Sequence, residues 1–124
     1  GVDVSKCRVG ILGITFKENC PDIRNSKVVD LIRELESWGI EVLVSDAWAA
    51  QEEVKLEYGL DLVKIDKNSK VDALVVAVGH NEYRELTSEQ LVAMVSTLNP
   101  VICDAKSIYD KQELEAAGFT VFRL

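Results

Sequence analysis

Val9-Gly10-Ile11-Leu12-Gly13-Ile14 carries no polar side chain, and this run constrains the fold more than any other stretch. A strand with one wet face alternates apolar and polar residues, whereas a strand covered on both faces reads as unbroken apolar sequence. The run therefore predicts a strand inside a sheet with helices on either side. Downstream, Val28, Leu31, Ile32 and Leu35 recur at helical spacing and form one apolar stripe. Asn25 or Ser26 is expected to cap that helix, and Gly39 to end it. Ile40 to Val44 reads as the next strand, about Ala49 to Tyr58 as a helix closed by Gly59, and Leu60 to Ile65 as a short edge strand. Ala73 to Val78 is again apolar throughout. Thr87 and Gln90 make a capping box ahead of Leu91, Met94, Val95 and Leu98, and Pro100 stops that helix. Val101 to Cys103 is a strand, Asp110 with Glu113 opens a last helix, Gly118 ends it, and Thr120 to Phe122 is the final strand. The alternation predicts an α/β fold: an open, doubly wound, mostly parallel sheet of about five strands, with helices on both faces and right-handed crossovers. Residues 1–124 read as a single domain, and Gly1-Val2-Asp3 enters the first strand so directly that a piece of a longer protein is expected.

The connection after the first strand is the unusual one. Strand-to-helix loops in such folds run to about 2–6 residues, yet the stretch Gly13-Ile14-Thr15-Phe16-Lys17-Glu18-Asn19-Cys20-Pro21-Asp22-Ile23-Arg24-Asn25-Ser26 separates this strand from its helix. Loops at the carboxyl ends of parallel strands meet helix N-termini and form the ligand crevice of open α/β sheets. The loop also places Lys17 and Arg24 in a chain of net charge -7. That charge argues against a nucleic-acid footprint, so any anion must be met by a local cluster of cations.

Other site chemistries are missing. GxGxxG is absent: Gly10 and Gly13 are too far apart for it, and Asp46 lies well beyond the ribose-binding offset of about 20 residues. A self-sufficient NAD site is therefore not expected, and neither GxxxxGK[ST] nor GxSxG occurs. A receiver domain would need acidic residues clustered after the first strand, which Gly13-Ile14-Thr15 does not supply. Cys7, Cys20 and Cys103 are an odd set without CxxC spacing, which fits a reducing cytoplasm and neither a disulfide framework nor a zinc site. With one histidine, His80, metal ligation is not expected. No apolar stretch approaches the roughly 18 residues of a membrane span.

What remains is a convergence of three loops on one rim: Phe16, Lys17 and Arg24 after the first strand, Gly79-His80-Asn81 after Ala73 to Val78, and Asp104-Ala105-Lys106-Ser107 after Val101 to Cys103. Cations, an aromatic ring and a helix N-terminus suit a phosphorylated, stackable ligand such as a nucleotide diphosphate. Each residue has a plainer reading beside this one. Phe16 is equally compatible with plugging the core, Lys17 with a solvated surface, Arg24 with an ion pair to Asp22, and Lys106 with a pair to Asp104. Cys20 is better read as an inert loop thiol, and His80 as a loop hydrogen-bonder.

Gly13-Ile14-Thr15-Phe16-Lys17 followed by Asp22-Ile23-Arg24-Asn25-Ser26 resembles the opening of the C-terminal, UDP-binding domain of the UDP-glucose/GDP-mannose dehydrogenase family. Val76-Ala77-Val78-Gly79-His80-Asn81-Glu82-Tyr83, Asp104-Ala105-Lys106-Ser107-Ile108-Tyr109-Asp110 and Gly118-Phe119 are similar to its later motifs, so the resemblance covers essentially the whole chain. It implies an NAD-dependent cytoplasmic enzyme that oxidises C6 of a UDP-sugar from alcohol to carboxylate. An N-terminal domain would bind NAD, and a central helical region would carry a catalytic cysteine and the interface of a homodimer. By position, Phe16, Lys17, Lys106 and Ser107 would contact the UDP-sugar, and Arg24 would reach NAD bound by the other domain. Cys20 lies outside the family's catalytic segment, so no catalytic residue is expected here. Asp-Ala-Lys-Ser stands where UDP-glucose-specific members carry an arginine-containing loop. This, with Glu18 to Asp22 and Gly79-His80-Asn81, looks closer to members acting on UDP-N-acetylhexosamines for surface polysaccharide. The alternative is a stand-alone, non-catalytic nucleotide-binding module.

Overall fold

The computed structural model describes residues 7–96 and 99–123. Five strands form one sheet: β1 (Arg8–Leu12), β2 (Glu41–Ser45), β3 (Ala73–Val76), β4 (Val101–Asp104) and β5 (Thr120–Arg123). Their order is β2-β1-β3-β4-β5 and every pairing is parallel. The helices are α1 (Val28–Ser37), α2 (Gln51–Tyr58), α3 (Asn81–Arg84), α4 (Ser88–Ala93) and α5 (Lys111–Ala116). The expected α/β architecture is therefore the observed one. From β1 the chain first builds outward to β2 and then returns to add β3 on the other side, so the switch point lies between β1 and β3.

The strands end earlier than their apolar runs, because Gly13-Ile14 and Ala77-Val78 already turn into the site loops. The expected edge strand at Leu60 to Ile65 is a single bridge from Leu62 to Val44, since the segment then leaves the sheet edge to bring Ile65 into the core. α3 is an addition, too short to show periodicity. Asn25 and Ser26 do not cap α1: Asn25 is left-handed (φ 55°), and the N-cap position falls on Lys27 with no side-chain cap bond. On α1 the buried residues are Val29 and Ile32, while Leu31 is 40% exposed. The expected capping box is present, Gln90 N–H donating to Thr87 Oγ1 at 3.1 Å and Thr87 N–H to Gln90 Oε1 at 2.8 Å. Asp110 caps α5 by accepting from Glu113 N–H at 3.0 Å. Leu98, expected on the α4 stripe, lies outside the described residues.

Two apolar layers flank the sheet. Val9, Ile11 and Val44 pack with Ile32 and Val54 on one side, and Leu12, Leu74, Val76 and Ile102 pack with Leu91, Leu114 and Phe119 on the other. Each fully buried aliphatic side chain contributes about 1.5–3 kcal/mol. The first layer stops half-way. Val75 pairs in register with Cys103, and Cys103 with Phe122, so their side chains continue the α1 face across β3, β4 and β5. Among the described residues no helix covers that half, and Phe122 is 56% exposed. Between it and α1 runs an apolar trough of about 760 Å³, lined by Val9, Leu31, Leu35, Val75 and Cys103.

Candidate functional site

Everything that shapes the rim follows from the switch point. Gly13 takes a left-handed φ of 104° as the chain leaves β1. Ile14 and Thr15 then donate their backbone N–H groups to Asp46 Oδ2, at 2.7 and 3.1 Å, just beyond the end of β2. Asp46 Oδ1 accepts from Trp48 N–H at 2.7 Å and Ala49 N–H at 2.9 Å. A carboxylate with no exposed side-chain surface is tolerable only with such a set of donors. Asp46 is thus the clamp between the β1 and β2 loops, a role that its spacing, too long for a ribose ligand, does not indicate.

The β3 loop joins through His80, which is fully buried. Its Nε2 lies 3.1 Å from Asp46 Oδ2 and 3.0 Å from Thr15 Oγ1, and its Nδ1 accepts from Asn19 N–H at 2.8 Å. Trp48 stacks over the imidazole with ring centroids 6.1 Å apart. Asn19 and Asn81 exchange hydrogen bonds, Asn81 N–H to Asn19 Oδ1 at 3.0 Å and Asn19 Nδ2–H to Asn81 Oδ1 at 3.2 Å. In the β4 loop, Asp104 is fully buried and accepts from Ile108 N–H at 3.0 Å and Tyr109 N–H at 2.9 Å. Its carboxylate is thereby used to fold the turn that presents Lys106 and Ser107, rather than to pair with Lys106.

These anchors bring Phe16, Lys17 and Lys106 together around one cavity of about 280 Å³, with Thr15, Ser26 and Lys27 also in its wall. Phe16 is 63% exposed, so it does not plug the core. Lys17, Lys27 and Lys106 have no carboxylate partner among the described residues. Three unpaired ammonium groups round one small opening make a strong local field in an acidic protein. Lys27, at the N-cap position of α1, is a wall residue that the sequence reading did not single out. Beside it, the buried Ser26 Oγ has no hydrogen-bond partner among the described residues.

Arg24 and Ser107 stand apart from that cavity. Arg24 makes a two-point pair with Asp22, Nε to Oδ1 at 3.0 Å and Nη2 to Oδ2 at 2.8 Å. That pair holds the Asp22 carboxyl down to about 2. With Phe16, Asp22 and Asn25 it borders another opening of about 350 Å³, which shares Phe16 and Asn25 with the lysine-lined cavity. Ser107 is exposed, in a left-handed conformation (φ 53°), and outside the lysine-lined wall.

Both ring nitrogens of His80 are engaged, by Asn19 on one side and by Thr15 and Asp46 on the other. Burial, with the Asp104 charge adding to it, pushes the Cys103 thiol up, which makes it a poor nucleophile. Among the described residues no group of three His, Cys, Asp or Glu side chains could hold a metal, and no helix is long and apolar enough to cross a membrane. The arrangement can bind and orient an anionic ligand.

The chain is similar to known proteins along most of its length. The model of the UDP-glucose/GDP-mannose dehydrogenase family, UDP binding domain, matches residues 10–111. A UDP-N-acetyl-D-glucosamine 6-dehydrogenase of Salmonella typhi is 45% identical over 91 residues, 73% of this chain and 21% of that protein. Protein CapL of Staphylococcus aureus is 38% identical over 117 residues, 94% of this chain and 27% of the other. The chain spans about a quarter of the length of these relatives. An NDP-N-acetyl-D-galactosaminuronic acid dehydrogenase from Methanosarcina mazei shares the fold, with a TM-score of 0.87 at 23% identity over 99% of this chain and 25% of that one.

Proposed function

Since this chain belongs to the UDP-glucose/GDP-mannose dehydrogenase family, we propose that residues 1–124 are the UDP-sugar-binding C-terminal lobe of a longer, cytoplasmic, NAD-dependent UDP-sugar 6-dehydrogenase. In this reading the whole enzyme oxidises C6 of its sugar from alcohol to carboxylate, supplying a UDP-uronate for polysaccharide synthesis. The observation that carries the proposal is the meeting of Phe16, Lys17, Lys27 and Lys106 at the β1/β3 switch point. The lysines take the diphosphate, the exposed Phe16 ring offers a face to base or sugar, and the Ser107 hydroxyl lies on the turn that carries Lys106. A cavity of about 280 Å³ falls just below the usual range for complete ligand sites, about 300–1,000 Å³. That size suits one wall of a cleft.

NAD does not fit as a ligand of this chain alone. The space beside Gly13, where a dinucleotide fold would admit pyrophosphate, is filled by Val78. In the proposal NAD is held mainly by an N-terminal domain, a central region supplies the catalytic cysteine and the homodimer contact, and Arg24 contributes to NAD from the opening that it borders with Phe16. Resemblance to UDP-N-acetylhexosamine dehydrogenases at 37–45% identity supports an acetylated amino sugar as substrate.

Calorimetric titration of the chain with UDP, uridine and NAD tests the assignment. UDP should bind weakly but measurably, uridine much less, and NAD without detectable heat. Equal affinity for UDP and uridine, or no perturbation of the Phe16, Lys17 and Lys106 amides by saturating UDP, would reject it.

A further inference from the structure

The one histidine of the chain is tied to both ends of the segment that presents Phe16 and Lys17. On one side, Asn19 N–H donates to His80 Nδ1 at 2.8 Å. A backbone amide can only donate, so Nδ1 carries no proton. On the other side, Nε2 lies 3.0 Å from Thr15 Oγ1 and 3.1 Å from Asp46 Oδ2. The Thr15 hydroxyl proton is directed to the Lys17 carbonyl at 3.0 Å, which leaves an oxygen lone pair facing Nε2. Both contacts on that nitrogen are acceptors, and the ring is neutral with its proton on Nε2. A second link, Phe16 N–H to the Asp22 carbonyl at 2.7 Å, closes the base of the loop.

We propose that His80, as the neutral Nε2–H tautomer, is the positioning residue for the ligand-binding segment: one buried imidazole fixes Thr15 and Asn19 and thereby sets where Phe16 and Lys17 point. The inference rests on the reading that Phe16 and Lys17 contact the UDP moiety. His80 itself does not touch the ligand. Its whole surface is buried, under the Trp48 ring and against Tyr83, whose ring centroid lies 5.5 Å away. The need for an aromatic ring is geometric, because its two nitrogens face opposite ways and reach two ends of one short loop. Asn keeps an acceptor near the Nδ1 position and loses the Nε2 link; Gln keeps a donor near Nε2 and loses the Asn19 link. Thr15→Val preserves shape and removes the hydroxyl relay to Lys17.

The test has two independent arms, both on the 124-residue chain. Long-range proton–nitrogen spectra of the His80 ring should show a protonated Nε2 and a bare Nδ1 at neutral pH. Calorimetry with UDP should show about tenfold weaker binding for His80→Gln and Thr15→Val, with Phe16 and Lys17 amide resonances displaced in the absence of ligand. His80→Asn should move the Thr15–Lys17 end of the loop more than the Asn19 end, a pattern that general loss of packing does not produce. A ring protonated on Nδ1 overturns the proposal. So does Thr15→Val with unmoved loop amides and unchanged UDP affinity, a variant whose near-isosteric side chain keeps the fold. If the unaltered chain fails to bind UDP, the ligand assignment falls, while the ring spectrum and the variants' loop amides still decide the brace.

Discussion

Gly13 stands directly against Val78: a Cβ on Gly13 would lie 2.6 Å from the Val78 Cβ and 2.9 Å from the Val78 backbone nitrogen. The contact joins the ends of β1 and β3 at the switch point and sets the level from which both site loops start. Because φ at Gly13 is also 104°, Gly13→Ala combines overpacking with left-handed strain, for an expected loss of about 2–4 kcal/mol. Urea denaturation measures this. Gly13→Ala within about 0.5 kcal/mol of the parent would show that the two strand ends move apart freely.

The three lysines of the cavity should act together and Arg24 separately. Removing Lys17, Lys27 or Lys106 should each weaken UDP binding about three- to tenfold, as loss of a charge-assisted contact at a half-open site, and added salt should shrink the differences. Arg24→Ala should leave UDP affinity within about twofold, since its guanidinium pairs with Asp22 outside the lysine cavity. Calorimetry on the four variants decides it. An Arg24→Ala loss as large as that of Lys17→Ala would place the diphosphate in the opening bordered by Arg24 instead.

Asp104 carries the β4 loop on two backbone amides while fully buried. Asp104→Ala leaves the Ile108 and Tyr109 N–H groups without partners and should cost about 2–5 kcal/mol. The same substitution should loosen the turn holding Lys106, so ligand affinity falls in step with stability. Thermal unfolding and UDP titration of one sample report both.

Alkaline pH should unfold the domain through its buried phenols. Burial raises the Tyr83 hydroxyl well above its ordinary value, with the Asp46 charge adding to it, and burial and Asp104 do the same for Tyr109. In the unfolded chain both ionise near pH 10, where the folded state still holds their protons. Their contribution is therefore complete below about pH 10 and is lost as pH rises beyond it, by up to about 1.4 kcal/mol per pH unit for each group. Denaturation curves between neutral and strongly alkaline pH, with phenolate absorbance alongside, measure the slope. A flat profile above pH 10 would mean that the phenols titrate as though exposed.

The elements with a period were legible in the sequence. The unbroken run after Val9, the helical spacing of α1, and the Thr87–Gln90 and Asp110–Glu113 caps were each written within a few adjacent residues, although the residues α1 buries are Val29 and Ile32 and not the whole expected stripe. The long loop and its cations were legible too, as a departure from ordinary loop length. What escaped depends on contacts between distant residues. Asp46 matters because β2 ends beside Ile14 and Thr15, a fact of strand order, and offset counting could only say that it was misplaced for a ribose. Nothing in the sequence singled out Lys27, which follows the left-handed turn at Asn25 and lies in the wall shared with Lys17. Ser26 fits a capping rule in type, but the helix starts one residue later, with Lys27 at the N-cap. His80 was expected to make loop hydrogen bonds, but nothing in its neighbours in sequence pointed to Thr15 and Asn19.

The half-bare face over β3, β4 and β5 has a thermodynamic consequence. Denaturant sensitivity and the heat capacity of unfolding both scale with the surface newly exposed when a chain unfolds. Val75, Cys103 and Phe122 already give part of that surface to water in the native state, so the domain should unfold with a smaller m-value and a smaller heat-capacity increment than a fully wrapped sheet of equal length. Its stability curve is correspondingly flat, changing little across ordinary temperatures.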